Sequence, residues 1–375
     1  MLEQSLDAAL QKRIQQQLYR QREVFQPNEA CLSFVSNDYL GLNRHPTVLD
    51  AAKQAINQYG IASGGSPVVS GQTAIHQQLE DALAEFTGLP SIMLFSSGYI
   101  ANVGIVSALA KSNCTLFVDR EIHASLVDGC LLSRARICRY THLNANKLES
   151  RLQQLNEKSK WIITDGVFSA DGQIAPLPEL MALTKQYDAK ILLDDAHGIG
   201  CLGKKGQGTI EHHNILPGNS LILTASFAKA FGTAGAFVAG NKNIIDYLIQ
   251  FARPYMFSNG LSPTIAAATL ASLKVMQQES WRRIYLQELI HYFQTSVKQL
   301  NLAIPISNSP LQTLLIGDSE KAMAAKVALS AKKIAVAALR PPTVKKHHDC
   351  LRIAITAHHT KSQLDQLIET LAELI

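Results

Sequence analysis

The chain has 375 residues, of which 47% are hydrophobic and 17% are charged, and its formal net charge is +5. A chain of this length exceeds what one hydrophobic core usually supports, so we expect two closely associated domains. The basic residues form only short clusters, such as Lys204-Lys205 and Lys345-Lys346, and this pattern excludes a nucleic-acid-binding surface.

The N-terminal stretch "MLEQSLDAALQKRIQQQLYRQREVF" carries acids and glutamines where a signal peptide has an apolar block. We assign residues 1–44 to an N-terminal helical segment, whose helix has one apolar face formed by Leu6, Leu10, Ile14 and Leu18. No apolar run reaches the roughly 18 residues of a membrane span, so we expect no membrane association. The six cysteines show no C-x-x-C spacing and several lie in apolar runs, which is typical of reduced thiols in a cytoplasmic protein.

Residues 45–262 alternate apolar runs with helical patterns, and we expect them to form a large α/β domain. The predicted strands are 91–95, 114–118, 161–164, 190–194, 220–225 and 235–239. The predicted helices lie near 99–111, 123–133, 146–158 and 176–188. Continuous apolar strands separated by helices are typical of a mostly parallel central sheet flanked by helices on both faces.

The pattern changes at residue 263. A long helical run, beginning "TIAAATLASLKVMQQESWRRIYL", leads into a smaller α+β domain that we assign to residues 263–375. Its predicted strands lie near 311–316, 334–339 and 350–355, and its helices near 319–332 and 361–375. Thr360 and Gln363 have the spacing of a capping box at the start of the last helix.

One glycine pattern and one histidine pattern each suggest a ligand site, but the surrounding sequence supports neither site. Gly198, Gly200 and Gly203 match the spacing of a dinucleotide-binding loop, but "DDAH" separates them from the strand and a poor helix follows. Adjacent histidines, at 212–213, 347–348 and 358–359, would chelate a metal awkwardly because neighbouring side chains point to different faces. We therefore expect neither a nicotinamide site nor a metal site.

A lysine and an aspartate at two strand ends have a chemical reason to occur together. Lys229 lies in "SFAKAFG" (226–232), among small and aromatic residues. A lysine in a loop is usually solvated, but apolar surroundings favour its neutral amine, which can form a Schiff base. Asp194 ends an earlier buried strand, at the edge where open α/β sheets bind ligands, and His197 follows it. A Schiff-base lysine and an aspartate facing a protonated ring nitrogen are the pair that pyridoxal phosphate requires.

The same interpretation needs a phosphate site and a ring-stacking group. Gly98 and Tyr99 follow a strand and open a helix, where free backbone N–H groups attract an anion. Ser226 adds a hydroxyl three residues before Lys229. His123 opens another helix at a strand end and could stack on a flat ring, although a lone loop histidine usually has a structural role.

Seven motifs resemble the α-oxoamine synthases, pyridoxal-phosphate enzymes of the aspartate-aminotransferase fold (fold type I). In chain order they are "SNDYLGL" (36–42), "GIASGGSPVVSG" (60–71), "HASL" (123–126), "DGVFSADG" (165–172), "DDAHGIGCLGKKGQG" (194–208), "SFAKAFG" (226–232) and "RPPTV…LRIAITAHHT" (340–360). The resemblance runs in order over nearly the whole chain. It therefore implies both the fold and the pyridoxal 5′-phosphate cofactor.

The resemblance also implies roles for individual residues. Lys229 bonds covalently to the cofactor and moves the Cα proton, and Asp194 pairs with the ring nitrogen. His197 contacts the ring hydroxyl, and His123 stacks on the ring and faces the substrate. The remaining implied residues complete the cofactor pocket (Gly98, Tyr99, Ser169, Ser226) and contact the substrate (Arg20, Thr343, and Arg352 for the amino-acid carboxylate).

Within the family, "RPPTV" most resembles members that condense L-alanine with a pimeloyl thioester, carried by coenzyme A or acyl carrier protein. The alternatives are a member that uses glycine with acetyl- or succinyl-coenzyme A, an aminotransferase, and a non-catalytic dimer. Segments 60–71 and 254–263 resemble loops that build each site from two subunits, so a homodimer is expected.

Four positions depart from the family pattern. Asp165 stands where a glutamate is common, and Ser226 replaces a frequent threonine. Asn259 replaces a hydroxyl residue that reaches the partner subunit's phosphate in relatives, and Lys345 replaces a proline. None of these changes removes a group that the chemistry requires.

Overall fold

A computed structural model describes residues 2–22, 24, 31–155, 159–300, 302, 304–305 and 307–374. The chain divides into two units. The larger unit comprises Asn37–Ser169 and Gln173–Leu286, and the smaller comprises Met1–Ser36, Ala170–Gly172 and Gln287–Ile375. None of the helices in the described ranges is both long enough and apolar enough to cross a membrane.

The described helices are α1 (Leu2–Gln15), α2 (Pro46–Tyr59), α3 (Ala74–Thr87), α4 (Gly98–Leu109), α5 (Ala124–Ser133), α6 (Ala145–Gln154), α7 (Leu177–Gln186), α8 (Thr209–His212), α9 (Lys242–Phe251), α10 (Arg253–Met256), α11 (Pro263–Gln278), α12 (Trp281–Gln299), α13 (Ser319–Ala331) and α14 (Lys361–Leu374). The strands are β1 (Leu32–Ser33), β2 (Ser91–Phe95), β3 (Cys114–Asp119), β4 (Arg136–Tyr140), β5 (Ser159–Asp165), β6 (Ala189–Asp194), β7 (Leu221–Ser226), β8 (Ala236–Gly240), β9 (Leu311–Leu315), β10 (Ile334–Ala335), β11 (Ala337–Leu339) and β12 (Cys350–Ala354). A short π-helical turn covers Pro67–Gly71.

The larger unit is built on a seven-stranded sheet with the order β2-β8-β7-β6-β5-β3-β4. β8 runs antiparallel to both of its neighbours, and the other neighbouring pairs are parallel. The central strands are buried along most of their length because their sequences are continuous apolar runs. The α/β class and the mostly parallel sheet are confirmed, and the carboxyl ends of β3, β5, β6 and β7 share one edge.

One strand of this sheet was not predicted. β4 reads "RICRY"; its two arginines are exposed, and Tyr140 is buried. It lies at the end of the strand order, so one of its edges has no neighbouring strand. An edge strand tolerates such charges, and its sequence therefore lacks the apolar run that identified the other strands.

The predicted long helix is two helices, α11 and α12, because Glu279 leaves the helical conformation with φ −99° and ψ 53°. Its carboxylate accepts a hydrogen bond from Arg282 Nε at 2.7 Å. α11 packs against α2 and α3, so the larger unit extends to Leu286 rather than ending at residue 262. The domain boundary predicted from the sequence therefore differs from the units of the structure.

The smaller unit contains a three-stranded antiparallel sheet, β11-β12-β9, and a parallel pair, β1-β10. The single strand predicted at 334–339 is split at Val336 between these two sheets. The capping box of α14 is confirmed, since Thr360 N–H donates to Gln363 Oε1 at 3.0 Å and Gln363 N–H donates to Thr360 Oγ1 at 3.3 Å. α1 is shorter than the predicted segment, so Leu18 lies beyond its end.

Candidate active site

A cavity of about 140 Å³ opens at the carboxyl edge of the large sheet. Its walls come from the ends of β5, β6 and β7, the start of α4, and the residues leading into α5. The structure brings together here seven residues singled out in the sequence: Gly98, Tyr99, His123, Asp194, His197, Ser226 and Lys229. Their convergence follows from topology, because the carboxyl ends of parallel strands meet at one edge.

Asp194 ends β6 and is 9% exposed. Its Oδ1 accepts a hydrogen bond from Ala196 N–H at 3.0 Å, and its Oδ2 accepts one from Asn102 Nδ2 at 2.6 Å. Asn102 lies in α4 and also donates to Ser125 Oγ at 2.9 Å. Two N–H donors thus fix the orientation of this carboxylate at the cavity wall. Sequence reasoning missed Asn102, whose only signal was a polar residue one turn into an otherwise apolar helix.

Asp195 points away from the cavity although it is the next residue in the chain. It is fully buried, and its two oxygens accept hydrogen bonds from Thr209 Oγ1 at 2.5 Å and from Thr209 N–H at 2.6 Å. Burial raises the pKa of Asp195 to about 7. A Cβ at Gly198 or Gly208 would lie 2.0 Å from its carboxylate oxygens, so only glycine fits there. These glycines therefore surround a side chain of the protein.

His123 is held at the N-terminus of α5. Its Nδ1 accepts a hydrogen bond from Ser125 N–H at 3.3 Å and lies 2.7 Å from Ser125 Oγ. Because Nδ1 is an acceptor, the proton of the neutral ring resides on Nε2. Burial lowers the pKa of His123, Asp194 opposes that shift, and Lys229 reinforces it. The cavity is therefore lined by a flat, uncharged imidazole.

Asp165 was noted in the sequence only as a departure from the family pattern, but it also lines the cavity. It ends β5 directly beside Asp194 in the register of the sheet and is 3% exposed. Its Oδ1 accepts a hydrogen bond from His123 N–H at 3.3 Å. Burial raises its pKa well above the usual range, and the neighbouring Asp194 raises it further.

His197 is oriented by a residue that the sequence analysis did not single out. The hydroxyl of Tyr39 is hydrogen-bonded to Nδ1 of His197 at 2.7 Å, and both side chains are buried. Tyr39 lies in the "SNDYLGL" motif, whose turn is fixed by Asp38 through Leu42 N–H at 2.9 Å. The motif thus supplies a support for the imidazole.

A further part of the cavity wall combines the start of α4 with the turn after β7. Ser97 caps α4, since its Oγ accepts Ile100 N–H at 3.3 Å. Ser226 Oγ accepts Ala228 N–H at 3.2 Å and lies near Gly98, where an added Cβ would be 3.8 Å away. The Tyr99 hydroxyl donates to Asp128, so the side chain of Tyr99 is anchored to α5. A helix N-terminus beside a hydroxyl suits a phosphate.

The other predicted site residues lie elsewhere, and their roles stay predictions. Ser169 lies in a turn and is not among the described residues that line the cavity. Arg352 lies on β12 of the smaller unit, in register with Ala337 and Thr313.

Arg20 and Thr343 are brought together within the smaller unit. Arg20 Nη2 donates to Thr343 Oγ1 at 2.9 Å, in a cavity of about 720 Å³ that Lys326 and Arg340 also line. Arg340 was not singled out in the sequence, and its side chain donates to the Gln17 carbonyl. Burial lowers the pKa of Arg340, and so does the charge of Arg20. This cavity is suited to an anion.

The donor set of the larger unit's cavity fits pyridoxal phosphate. Four features of that cofactor have a counterpart: its aldehyde carbon an amine at Lys229, its ring nitrogen a carboxylate at Asp194, its flat ring the neutral imidazole of His123, and its phosphate the helix N-terminus at Gly98. The carboxylate is buried and held by N–H donors, as an aspartate facing a protonated ring nitrogen has to be.

Comparison with known proteins gives matches along nearly the whole chain. The family Aminotransferase class I and II matches residues 29–371. An 8-amino-7-oxononanoate synthase of Cellvibrio japonicus is 44% identical over 100% of this chain and 96% of its own length. A second one, of Nitrosococcus oceani, is 42% identical over 98% of this chain and 100% of its own length.

Solved structures also match along most of the chain. The structure of an 8-amino-7-oxononanoate synthase from Francisella tularensis matches with a TM-score of 0.80 and 33% identity, covering 92% of this chain and 97% of that one. A serine palmitoyltransferase from S. paucimobilis with bound PLP–myriocin aldimine matches with a TM-score of 0.91 and 29% identity, covering 99% and 96%.

Proposed function

Since the chain belongs to the aminotransferase class I and II family, and within it to the 8-amino-7-oxononanoate synthases, we propose that it condenses L-alanine with a pimeloyl thioester. The products are 8-amino-7-oxononanoate, carbon dioxide and the free thiol carrier, and the reaction serves biotin biosynthesis. The observation that carries this proposal is the single cavity that joins Lys229, Asp194, His123 and His197.

The cofactor is pyridoxal phosphate. When bound, it supplies an electron-withdrawing ring that stabilises the negative charge left on Cα of the amino acid. Asp194 would face the ring nitrogen, and Asn102 and Ala196 fix the orientation of its carboxylate. His123 would stack on the ring with its neutral imidazole. Tyr39 holds the imidazole of His197 in place, and His197 would contact the ring hydroxyl.

Lys229 moves the proton. Its Nζ accepts the Cα proton of L-alanine, and the resulting carbanion attacks the thioester carbonyl with loss of the thiol carrier. The carboxylate bound by Arg352 then leaves as carbon dioxide, and Lys229 returns a proton to the same carbon. The guanidinium of Arg352 suits this role because it matches a planar two-oxygen anion.

Arg20 and Thr343 bind the acyl substrate. Their hydrogen bond of 2.9 Å lies in a cavity with two further cations, Lys326 and Arg340. A pimeloyl chain ends in a carboxylate, and either thiol carrier also bears negative charge. The positive lining therefore favours a dicarboxylic acyl group over an uncharged chain.

The test offers the purified enzyme L-alanine, glycine and L-serine, each with pimeloyl, acetyl, succinyl and palmitoyl thioesters, and measures thiol release. We expect the highest kcat/KM for L-alanine with the pimeloyl thioester. A preference for glycine with acetyl- or succinyl-coenzyme A would contradict the substrate assignment and leave the cofactor assignment intact. Transamination of the amino acid without thiol release would instead indicate an aminotransferase.

The functional form is a homodimer. Two segments of the larger unit carry exposed apolar side chains, Val69 at 82% and Phe257 at 69% exposure. The segments are tied together, since Gly260 N–H donates to the Gly65 carbonyl at 2.9 Å. Asn259 is exposed beside them and carries an amide that can donate to a partner's phosphate. Sedimentation at assay concentration should give twice the chain mass, and a fully active monomer would exclude the dimer.

A cytoplasmic location of the protein stays a prediction.

A further inference from the structure

Asp165 and Asp194 form a pair of buried carboxyl groups on neighbouring strands. β5 and β6 are parallel, and the two residues face each other in register at the ends of these strands. Both line the cavity, and Asp165 is 3% exposed. Two carboxyl groups this close and this buried do not both ionise readily, because each charge raises the cost of the other.

The hydrogen bonds around the two groups differ. Asp194 accepts two, from Asn102 Nδ2 at 2.6 Å and from Ala196 N–H at 3.0 Å. From the residues that the structure describes, the carboxyl group of Asp165 accepts a single, longer hydrogen bond, donated by His123 N–H at 3.3 Å. Hydrogen bonds from N–H groups stabilise the ionised form of a carboxyl group, so the negative charge of the pair is better accommodated on Asp194.

We infer that Asp165 serves the proposed reaction as an un-ionised positioning residue, which holds His123 through its backbone N–H and leaves the negative charge of the pair to Asp194. The inference rests on the proposed function, because it assigns Asp194 alone to the cofactor's ring nitrogen. It also explains why a second acid can stand at the cavity wall. An un-ionised Asp165 adds no negative charge, so it does not compete with Asp194 for the proton of the ring nitrogen.

The groups that face Asp165 support this assignment. Asp194 at the end of β6 and Asp119 at the end of β3 both raise the pKa of Asp165, in addition to burial. The backbone N–H of His123 and the charge of Lys229 oppose them, and the net direction is a strong increase. Once Lys229 is bonded to the cofactor, its ammonium charge no longer acts on Asp165 in the same way.

The test compares two asparagine variants of the cofactor-free protein. Asp165→Asn cannot ionise, but it keeps an acceptor for His123 N–H and an N–H donor in place of the acid proton. We therefore expect its affinity for pyridoxal phosphate at neutral pH to stay within about 3-fold of wild type. Asp194→Asn should weaken that affinity about 10-fold or more, because it removes the negative charge opposite the ring nitrogen.

Thermal unfolding against pH gives a readout that involves no cofactor. An acid whose folded pKa is raised contributes stability below its unfolded pKa of about 3.9 and loses it as pH rises toward the folded pKa. Asp165→Asn has no such loss, so its Tm should match wild type near pH 4 and exceed it by a margin that grows as the pH is raised from there. Asp195 and the other buried acids remain in both proteins and cancel in the difference.

Asp165→Ser, which cannot ionise and keeps a hydroxyl, carries the same expectations should the asparagine variant not fold. Asp165→Ala removes the acceptor for His123 N–H and should weaken cofactor binding about 5-fold at every pH. The inference is overturned if Asp165→Asn loses affinity as severely as Asp194→Asn. It is equally overturned if the Tm difference from wild type stays constant with pH. Neither readout involves an amino acid or a thioester, so an error in the proposed substrates leaves both intact.

Discussion

One cavity in each unit is lined by ionisable groups, and the kinds of group differ. The larger unit's cavity is lined by Asp165 and Asp194 together with one lysine, Lys229. The smaller unit's cavity is lined by Arg20, Arg340 and Lys326, and no acidic residue is among its described lining residues. A protonated ring nitrogen needs a negative partner, whereas an acyl carboxylate or a phosphorylated carrier needs positive ones. Under the proposed function, the larger unit therefore supplies the cofactor chemistry and the smaller unit the groups for the acyl substrate.

The largest expected effect comes from removing the one lysine of the larger unit's cavity. Lys229→Ala should abolish the visible absorption of the cofactor-loaded protein and reduce kcat about 10³-fold or more, since both the covalent link and the proton carrier are lost. Absorbance and thiol release measure the two effects. Lys190→Ala, an exposed residue of β6, is the control. Near-normal turnover in the Lys229→Ala protein would contradict the assignment of the larger unit's cavity as the reaction site.

Removing the charge of Asp194 should have the next largest effect. Asp194→Asn keeps the shape of the side chain and should lower kcat by about 10²- to 10³-fold, because the ring loses its electrostatic partner. Steady-state kinetics at saturating cofactor measures it. Asp188→Asn is the matched control, since Asp188 is exposed and its positive φ of 48° suits asparagine. Equal activity in both variants would contradict the role of Asp194.

The smaller unit's cavity is tested through Arg20. Arg20→Gln should raise KM for the pimeloyl thioester roughly 30-fold, with kcat and the visible absorption little changed, because a charged hydrogen bond to the substrate is lost. Arg22→Gln, an exposed arginine two residues further on, is the control. If Arg20→Gln instead altered cofactor absorption, the division between the two cavities would be wrong.

The smallest expected effect tests how the carboxylate of Asp194 is held in the larger unit's cavity. Asn102→Ala removes one of the two N–H donors of Asp194 and should weaken cofactor affinity about 10-fold while the chain stays folded. Fluorescence titration of the cofactor-free protein measures it. Ser107→Ala changes a hydroxyl on the same helix that bonds only to Val103 and Gly104 carbonyls and should bind as wild type does. Unchanged affinity in Asn102→Ala would show that Ala196 N–H suffices.

The sheet and most of the larger unit's cavity could be predicted from the sequence. Buried strands are continuous apolar runs, and residues such as Asp194 and Lys229 interrupt that pattern at the point where a strand ends. β4 could not be predicted in this way because two arginines interrupt its apolar residues, as an edge strand allows.

Supporting residues were harder to predict than the residues they hold. Asn102 and Tyr39 act on side chains that are distant in sequence, and neither has a local pattern that reveals its partner. Asp194 and Asp195 are adjacent and chemically alike at the end of β6. Adjacent side chains at a strand end point to opposite sides, however, so one lines the cavity and the other does not.

The loop after β6 owes its glycines to the protein's own side chains. Gly200, Gly203, Gly206 and Gly208 all have φ near +80°, and an added Cβ at these positions would meet, in turn, Ala230, Glu211, Arg283 and Asp195. The Asp195 carboxyl itself is held by the N–H and the hydroxyl of Thr209. Any larger residue in the loop would displace one of these neighbours, so the glycines help to hold the residue beside Asp194 in its place.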